Sequence, residues 1–372
     1  MYLISRNSYL ISIIQIQLCG VLMGFVCSTQ IVSGSARQAL GNLGAKRMMV
    51  VADPFFKDGI ARELGAAAEQ AEYFFDVVPD PTTQLAARGA AAVKAFGPEV
   101  VVALGGGSAM DLAKSMVWFS GVEAKLVAIP TTSGSGSEVT DFAILTHDQV
   151  KHPLVDPKLR PHMAILDVQL VAKLPKSLVA EGGFDAMTHA LEAYTAANAN
   201  RFTDALATAA FSQILNSLEA SFRGNLQARG GIHEAATMAG LSFTQSGLGL
   251  CHAMAHALGG LLHLPHGRLN AILLPAVMEV NGPACAARYA QLARAAGLEG
   301  RSDTMAVRSL RNALVSLRKS LGLPSTLPEA QVAPHRLKII EAALADPCCE
   351  TNPMPVTAQT VDRVLRMITG HG

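Results

Sequence analysis

Val100-Val101-Val102-Ala103-Leu104-Gly105-Gly106-Gly107-Ser108 is the stretch that decides the fold. Five apolar residues, three of them β-branched, make a short strand buried on both faces. Three glycines then stop it. Periodic apolar spacing resumes from Met110 to Phe119 and predicts a helix. A buried strand passing through glycines into a helix is the building unit of a parallel sheet flanked by helices. The unit repeats on either side. Upstream, Lys46 to Ala52 reads as a strand ending at Asp53-Pro54, and Ile60 to Gln70 as an Ala-rich helix. Tyr73 to Val78 reads as a strand ending at Pro79-Asp80-Pro81-Thr82, and Leu85 to Phe96 as a helix. Downstream, Lys125 to Ile129 is a strand that runs into Pro130-Thr131-Thr132-Ser133-Gly134-Ser135-Gly136-Ser137-Glu138. The chain from Phe25 onward already reads as the first strand of the set.

After about Ser177 the pattern changes to helices alone: Val179 to Tyr194, Thr203 to Phe222, Ile232 to Gln245, Leu250 to Leu262, Ala271 to Val280 and Ala286 to Ala296. A chain of 372 residues exceeds one ordinary core. The expectation is therefore an α/β dinucleotide-binding domain over 23–178 and an all-helical domain over 179–372. Ahead of them, Tyr9 to Val26 is almost continuously apolar, broken by Ser12, Gln15 and Gln17, with Arg6 before it. A signal peptide or anchor is one reading. No small-x-small cleavage pattern follows, and the run is short and broken for a spanning helix. The reading preferred here starts translation at Met23 and treats 1–22 as an extension outside the working protein.

A net charge of +1 points to neither nucleic acid nor an anionic membrane as partner. Six cysteines without a CxxC pair read as reduced thiols in a reducing, cytoplasmic setting.

Two loops carry the first chemical signal. Gly105-Gly106-Gly107-Ser108 lets the backbone approach a pyrophosphate, and the helix it opens, with Asp111 and Lys114 in its first turns, offers free N–H groups to the anion. A tight strand-to-helix turn is the structural alternative. The second loop, with Thr131, Thr132 and Ser135, follows another parallel strand and supplies hydroxyls on the same rim, where such sheets bind ligands. It lacks the Gly-Lys-Ser/Thr ending of a nucleotide-hydrolysing loop. Asp53 closes the first clear strand, where a carboxylate accepts from a ribose 2′-OH and disfavours a 2′-phosphate. A turn cap before Pro54 is equally good on local grounds.

The second signal is a set of histidines. Asp185 and His189 are four residues apart, and so are His252 and His256. On helices each pair stacks on one face. Asp185, His189, His252 and His266 supply four oxygen and nitrogen donors from three elements, a shell for Fe(II), Zn(II), Mn(II) or Co(II). His256 is a further ligand or a proton relay, and His263 an ordinary loop residue. Glu192 is either an orienter of a ligand or a surface carboxylate.

With these blocks in view, the chain from Phe25 to the end resembles the iron-containing (group III) alcohol dehydrogenases. The resemblance rests on Pro79 to Thr82, Gly105 to Ser108 with Asp111 and Lys114, Pro130 to Glu138, Gly183 to Tyr194, Gly247 to Pro275, and Asp346-Pro347-Cys348 with Thr351-Asn352-Pro353. Within the family the chain most resembles the propanol dehydrogenases of propanediol-utilisation microcompartments, through the short connection from Lys114 to Pro130, Lys151-His152-Pro153-Leu154, and His266 to Ala271. Ethanolamine-utilisation alcohol dehydrogenases come next. Two departures stand out: Glu181-Gly182-Gly183-Phe184 replaces the usual approach to the aspartate, and Ser135 stands where threonine is usual.

The resemblance implies an α/β domain with a parallel sheet followed by a helical metal domain, as in the dehydroquinate synthase-like fold. It implies Asp185, His189, His252 and His266 as ligands of Fe2+, with Zn2+ as the alternative, and His256 as the histidine beside the nicotinamide. It implies Asp53, Gly105, Gly106, Gly107, Ser108, Asp111, Thr131, Thr132 and Ser135 around NAD(H). The implied reaction interconverts short primary alcohols and aldehydes, propanal to 1-propanol above all, by hydride transfer at a metal-stabilised alkoxide. A homodimer or larger assembly, microcompartment shell or lumen partners and a cytoplasmic or microcompartment location are implied likewise. A zinc-dependent polyol dehydrogenase is the competing activity; Phe142, Phe184 and Leu258 to Leu262 make the surroundings apolar for such substrates. A non-catalytic assembly protein is the third reading, against which the intact ligand set speaks.

Overall fold

The computed structural model describes residues 25–147 and 150–370. The readings of 1–22 and of Met23 as the start lie outside the described residues. Six strands form one parallel sheet: β1 (Gln30–Ser33), β2 (Arg47–Ala52), β3 (Gln70–Phe74), β4 (Val100–Gly105), β5 (Lys125–Pro130) and, after an antiparallel hairpin of β6 (Phe142–His147) and β7 (Val150–Val155), β8 (Met163–Leu166). Their order across the sheet is β1-β8-β5-β4-β2-β3.

The central strands are apolar on both faces because both faces are covered. Met49, Val51, Val101 and Ala103 pack with Val93, Leu112 and Met116 on one side. Met48, Val50, Val100, Val102 and Leu104 pack with Leu40 and Leu64 on the other, in the two-residue alternation of a strand. The covering helices are α1 (Ala36–Gly41), α2 (Ile60–Gly65), α3 (Thr83–Phe96) and α4 (Gly107–Ser120). In register, Ala52 lies opposite Leu104, and Leu104 opposite Ile129. The C-terminal ends of β2, β4 and β5 therefore share one rim.

The remainder is helical: α5 (Lys176–Thr195), α6 (Arg201–Phe222), α7 (Leu226–Ser246), α8 (Leu250–Leu262), α9 (His266–Ala295), α10 (Asp303–Ser320), α11 (Arg336–Leu344) and α12 (Ala358–Ile368). Helix α5 is buried nearly all round from Val179 to Thr195, which makes it the central helix of this half. Helix α9 is long and apolar enough by composition to cross a membrane, but most of it is covered by the rest of the fold.

Several expected boundaries shift. The first strand starts at Gln30; Phe25 instead stacks on Phe202, with ring centroids 5.8 Å apart. Helix α2 stops at Gly65, not at Gln70, and Tyr73 packs over that glycine, where a Cβ would meet its Oη at 2.2 Å. The chain then turns through Ala67 and Ala68, so β3 covers 70–74 rather than 73–78 and pairs Gln70 with Arg47. Ala271 to Val280 and Ala286 to Ala296 are one continuous helix, with Pro275 and Pro283 inside it. Proline removes the N–H that would bond the carbonyl four residues earlier. At Pro275 that carbonyl belongs to Ala271, and the buried Arg318 guanidinium donates to it at 3.2 Å. At Pro283 it belongs to Glu279, on an exposed face open to water.

Candidate active site

The first loop is shaped by Gly105, whose φ of +155° suits glycine and where a Cβ would stand 2.6 Å from Ala109 Cβ. Gly105 O accepts from Thr131 N at 2.9 Å, so the loops after β4 and β5 are joined by their backbones. A Cβ on Gly106 would sit 3.2 Å from Thr132 Oγ1, and one on Gly107 3.4 Å from Ser135 Cβ. Gly106, Gly107, Ser108, Thr132 and Ser135 are part-exposed along this rim, and Thr131 is buried beneath it. Asp53 stands at the end of β2, where its Oδ1 accepts from Phe55 N at 2.9 Å and caps the short turn Pro54–Phe56.

Asp111 bonds inside the fold: Ser137 Oγ donates to its Oδ1 at 2.9 Å. Burial raises its carboxyl, against the neighbouring Lys114 charge. The buried Lys114 Nζ lies 2.9–3.0 Å from Ser137 Oγ, Thr140 O, Thr140 Oγ1 and Phe142 O. Asp111 and Lys114 thus fasten α4 to the loop after β5. At the far end of that loop, buried Glu138 accepts from Thr237 Oγ1 on α7 at 2.6 Å.

The histidines lie where this loop meets the helical half. Asp185 and His189 come from α5, His252 and His256 from α8, and His266 from the first residue of α9. Helix α9 approaches α5 closely because Gly267 has no side chain; a Cβ there would meet Glu181 O at 2.1 Å. Glu181 also pairs with Arg268 Nη2 at 2.7 Å, so this departure from the family pattern pins the start of α9 beside the aspartate. One donor atom from each of Asp185, His189 and His252 lies within 4.8 Å of the others. Asp185 Oδ1 is 3.4 Å from His266 Nε2 and 3.7 Å from His252 Nε2.

The donor set suits a cation. Ligands about 2.1 Å from one divalent ion lie roughly 3–3.5 Å apart around a tetrahedral shell, close to these separations. His189 Nδ1 donates to Gly134 O at 3.2 Å and His252 Nδ1 to Glu192 Oε2 at 2.6 Å. Each bond puts the proton on Nδ1 and leaves Nε2 as a lone-pair donor. Burial alone would raise the Asp185 carboxyl, but His189, His266 and His252 hold it well below the usual carboxylate range. Burial presses His189 down to about 3 and His266 well below its ordinary value. Against the same burial, the nearby carboxylates of Asp185 and Glu192 bring His252 up to about 9. Two buried carboxylates thus call for positive charge among these rings.

Three groups here went unnoticed or unassigned in the sequence. Glu192 is buried and accepts from Cys251 N and His252 N as well, so it caps α8 and orients His252; the surface alternative is excluded. Asn270, one turn after His266, donates to Asp185 Oδ1 at 2.8 Å and lies 3.3 and 3.2 Å from His252 Nε2 and His266 Nε2. Its spacing of four from His266 was the available signal. Asp346 accepts from His256 Nδ1 at 2.8 Å. His256 stacks over His266, with centroids 5.1 Å apart. His263 ends α8 as its left-handed cap, with φ of +53°. Phe243 stacks on His189 at 4.4 Å and touches Phe142, giving the cluster an aromatic wall; Phe184 lies in the core.

Comparison with known proteins places this geometry. Residues 29–168 match the sequence model of the iron-containing alcohol dehydrogenases, and 179–369 that of the C-terminal part of the same family. The chain is 39% identical over 366 residues to the 1-propanol dehydrogenase PduQ of Citrobacter freundii, covering 92% of this chain and 99% of that protein. Its structure superposes on the iron-containing alcohol dehydrogenase of Thermococcus thioreducens with a TM-score of 0.88, at 28% identity over 94% of this chain and all of the other. The sulfoacetaldehyde reductase of Bifidobacterium kashiwanohense in complex with NAD+ superposes with a TM-score of 0.84, at 26% identity over 95% of this chain and all of the other. The chain belongs to the iron-containing alcohol dehydrogenases, a family of oxidoreductases that works with iron and NAD(H).

Proposed function

We propose that this enzyme interconverts short primary alcohols and aldehydes with NAD(H), reducing propanal to 1-propanol in preference. The observation that carries the reading is the double contact of the loop after β5. Its Thr131 is bonded to the glycine loop, and its Gly134 carries the carbonyl that orients His189 and lies against Asp185, where a Cβ would stand 3.3 Å from Oδ2. Gly105, Gly106, Gly107, Ser108, Thr131, Thr132 and Ser135 would hold a nucleotide along the rim that the same loop carries to the histidines. Asp53, at the end of β2, would accept from its adenosine ribose.

Asp185, His189, His252 and His266 would hold the iron. Bound iron supplies Lewis-acid polarisation of the substrate oxygen, and bound NAD(H) supplies the hydride. The chain does the rest. His256 gives and takes the hydroxyl proton at Nε2 while Asp346 keeps the other nitrogen protonated and the ring fixed. Phe243 and Phe142 turn an apolar face to the alkyl group and exclude water. Lys114 and Asp111 act on the cofactor through the loops they fasten together.

The preference for propanal and residence in a propanediol-utilisation microcompartment belong to the same proposal. They are supported by the likeness to the Citrobacter freundii protein and by the segments Lys151 to Leu154 and His266 to Ala271. We propose the division 23–178 and 179–372 as its two functional halves. The test is anaerobic NADH oxidation with propanal by metal-stripped protein, with Fe(II) or Zn(II) restored separately. Recovery with iron is expected. Turnover with zinc and glycerol-type substrates alone would move the enzyme to the polyol branch.

A further inference from the structure

Close to the cluster described above lies a second group of donors with different chemistry. His256 on α8 faces Asp346 and Cys348 on the turn Pro347–Thr351, and one donor atom from each lies within 4.8 Å of the others. Both carboxylate oxygens of Asp346 are fixed. Its Oδ1 accepts from Cys348 N at 2.8 Å as the cap of that turn, and its Oδ2 accepts from His256 Nδ1. The neighbouring thiol points elsewhere, since Cys349 Sγ bonds Ala343 O at 3.0 Å. About a third of the His256 side chain is exposed, which leaves the group open to an ion from solvent.

We propose that His256 Nδ1, Asp346 Oδ2 and Cys348 Sγ form a second divalent-metal site, suited to zinc, whose occupation switches the enzyme off. Nitrogen, carboxylate and thiolate together are a zinc set, with a fourth position left for water. Asp185, His189, His252 and His266 include no sulfur, so of the two groups only the second offers a thiolate. On binding, zinc takes the place of the Cys348 Sγ proton, which leaves to solvent, and of the hydrogen bond between His256 and Asp346. The remaining imidazole proton then resides on Nε2. That nitrogen can no longer accept the proton of an alcohol. The metal site stands on the geometry alone; the inhibition rests on the role proposed for His256.

Cobalt(II) is the probe that separates the two. Titrated into metal-stripped protein, it is expected to bind at two ions per chain, with a near-ultraviolet thiolate-to-cobalt charge-transfer band. Cys348→Ser is expected to bind one ion without the band, to keep its turnover, and to need at least about tenfold more zinc for half-inhibition of the iron-loaded enzyme. Asp185→Ala is expected to lose turnover and keep the band, so failure of the proposed activity and failure of this site read differently. Should Cys348→Ser not fold, Cys348→Ala takes its place. A missing band in the unmodified protein, or one that survives loss of the Cys348 thiol, overturns the site. Zinc inhibition unchanged by that loss overturns its role.

Discussion

Glu192 Oε2 accepts from His252 Nδ1 at 2.6 Å while Glu192 Oε1 accepts from Cys251 N at 2.7 Å, so one buried carboxylate both starts a helix and aims an imidazole. The charge that stabilises the N-terminal end of α8 is thereby the charge that fixes the tautomer of His252.

Glu192→Gln keeps the shape and an acceptor oxygen but removes the charge. Metal affinity should fall by about 10–100-fold, the usual cost of losing a carboxylate behind a ligating histidine. Iron retained after dialysis against a graded chelator series measures it. Retention equal to the parent enzyme would show that His252 needs no carboxylate behind it.

The tie between His256 and Asp346 spans ninety residues of sequence and makes a different prediction. Asp346→Asn should lower kcat by about 10²-fold or more, with bound iron and the KM for NADH unchanged, because the amide oxygen can still cap the turn at Cys348 N while the imidazole loses its orientation and tautomer. Asp346→Glu should recover part of the loss. A rise in KM with kcat preserved would assign Asp346 to cofactor binding instead.

How far the sequence could be read depends on the range of the forces involved. β2, β4 and β5 were legible to within a residue, because central parallel strands are apolar on both faces and end in glycine or proline. β8, with four residues, and the β6–β7 hairpin, with Pro153 in it, were not, since neither has the length or alternation that marks a strand. The overlong reading of α2 came from Ala66-Ala67-Ala68, whose helix propensity yields to the pairing of β3, which starts at Gln70 beside Arg47. In the site, the pairs Asp185/His189 and His252/His256 showed themselves by helical spacing. Asp346 could not, because His256 lies 90 residues away; Glu192 stood as a candidate orienter through its place one turn after His189, but its partner His252, 60 residues on, was not legible.

Arg318 should prove essential to the continuity of α9. Arg318→Met strands the buried Ala271 carbonyl, at a cost of about 1–3 kcal/mol in urea unfolding. Pro275→Ala restores an N–H four residues beyond Ala271, so the double variant should recover much of that loss. Additive effects of the two changes would mean that the guanidinium stabilises α9 by packing and not through this carbonyl.

Lys114 supplies the pH test. Burial lowers its ammonium from 10.5 to about 8, even with Asp111 and Glu138 opposing. Between about pH 8 and 10.5 the unfolded chain then holds a proton at this position that the folded chain has given up. Stability from this group therefore rises with pH across that window; below about pH 8 both states are protonated and its contribution is flat. A lowering of that size corresponds to about 3 kcal/mol. Urea unfolding of the parent enzyme and of Lys114→Met, compared at pH 7, 8, 9 and 10, isolates it. The difference between them should stay constant from pH 7 to 8 and then move in favour of the parent. Because Lys114 also joins α4 to the loop after β5, Lys114→Met should raise the KM for NADH while leaving the number of metal ions bound at the histidines unchanged. A stability difference that is level up to pH 10 would mean that the four oxygens around Nζ hold its proton as firmly as water does.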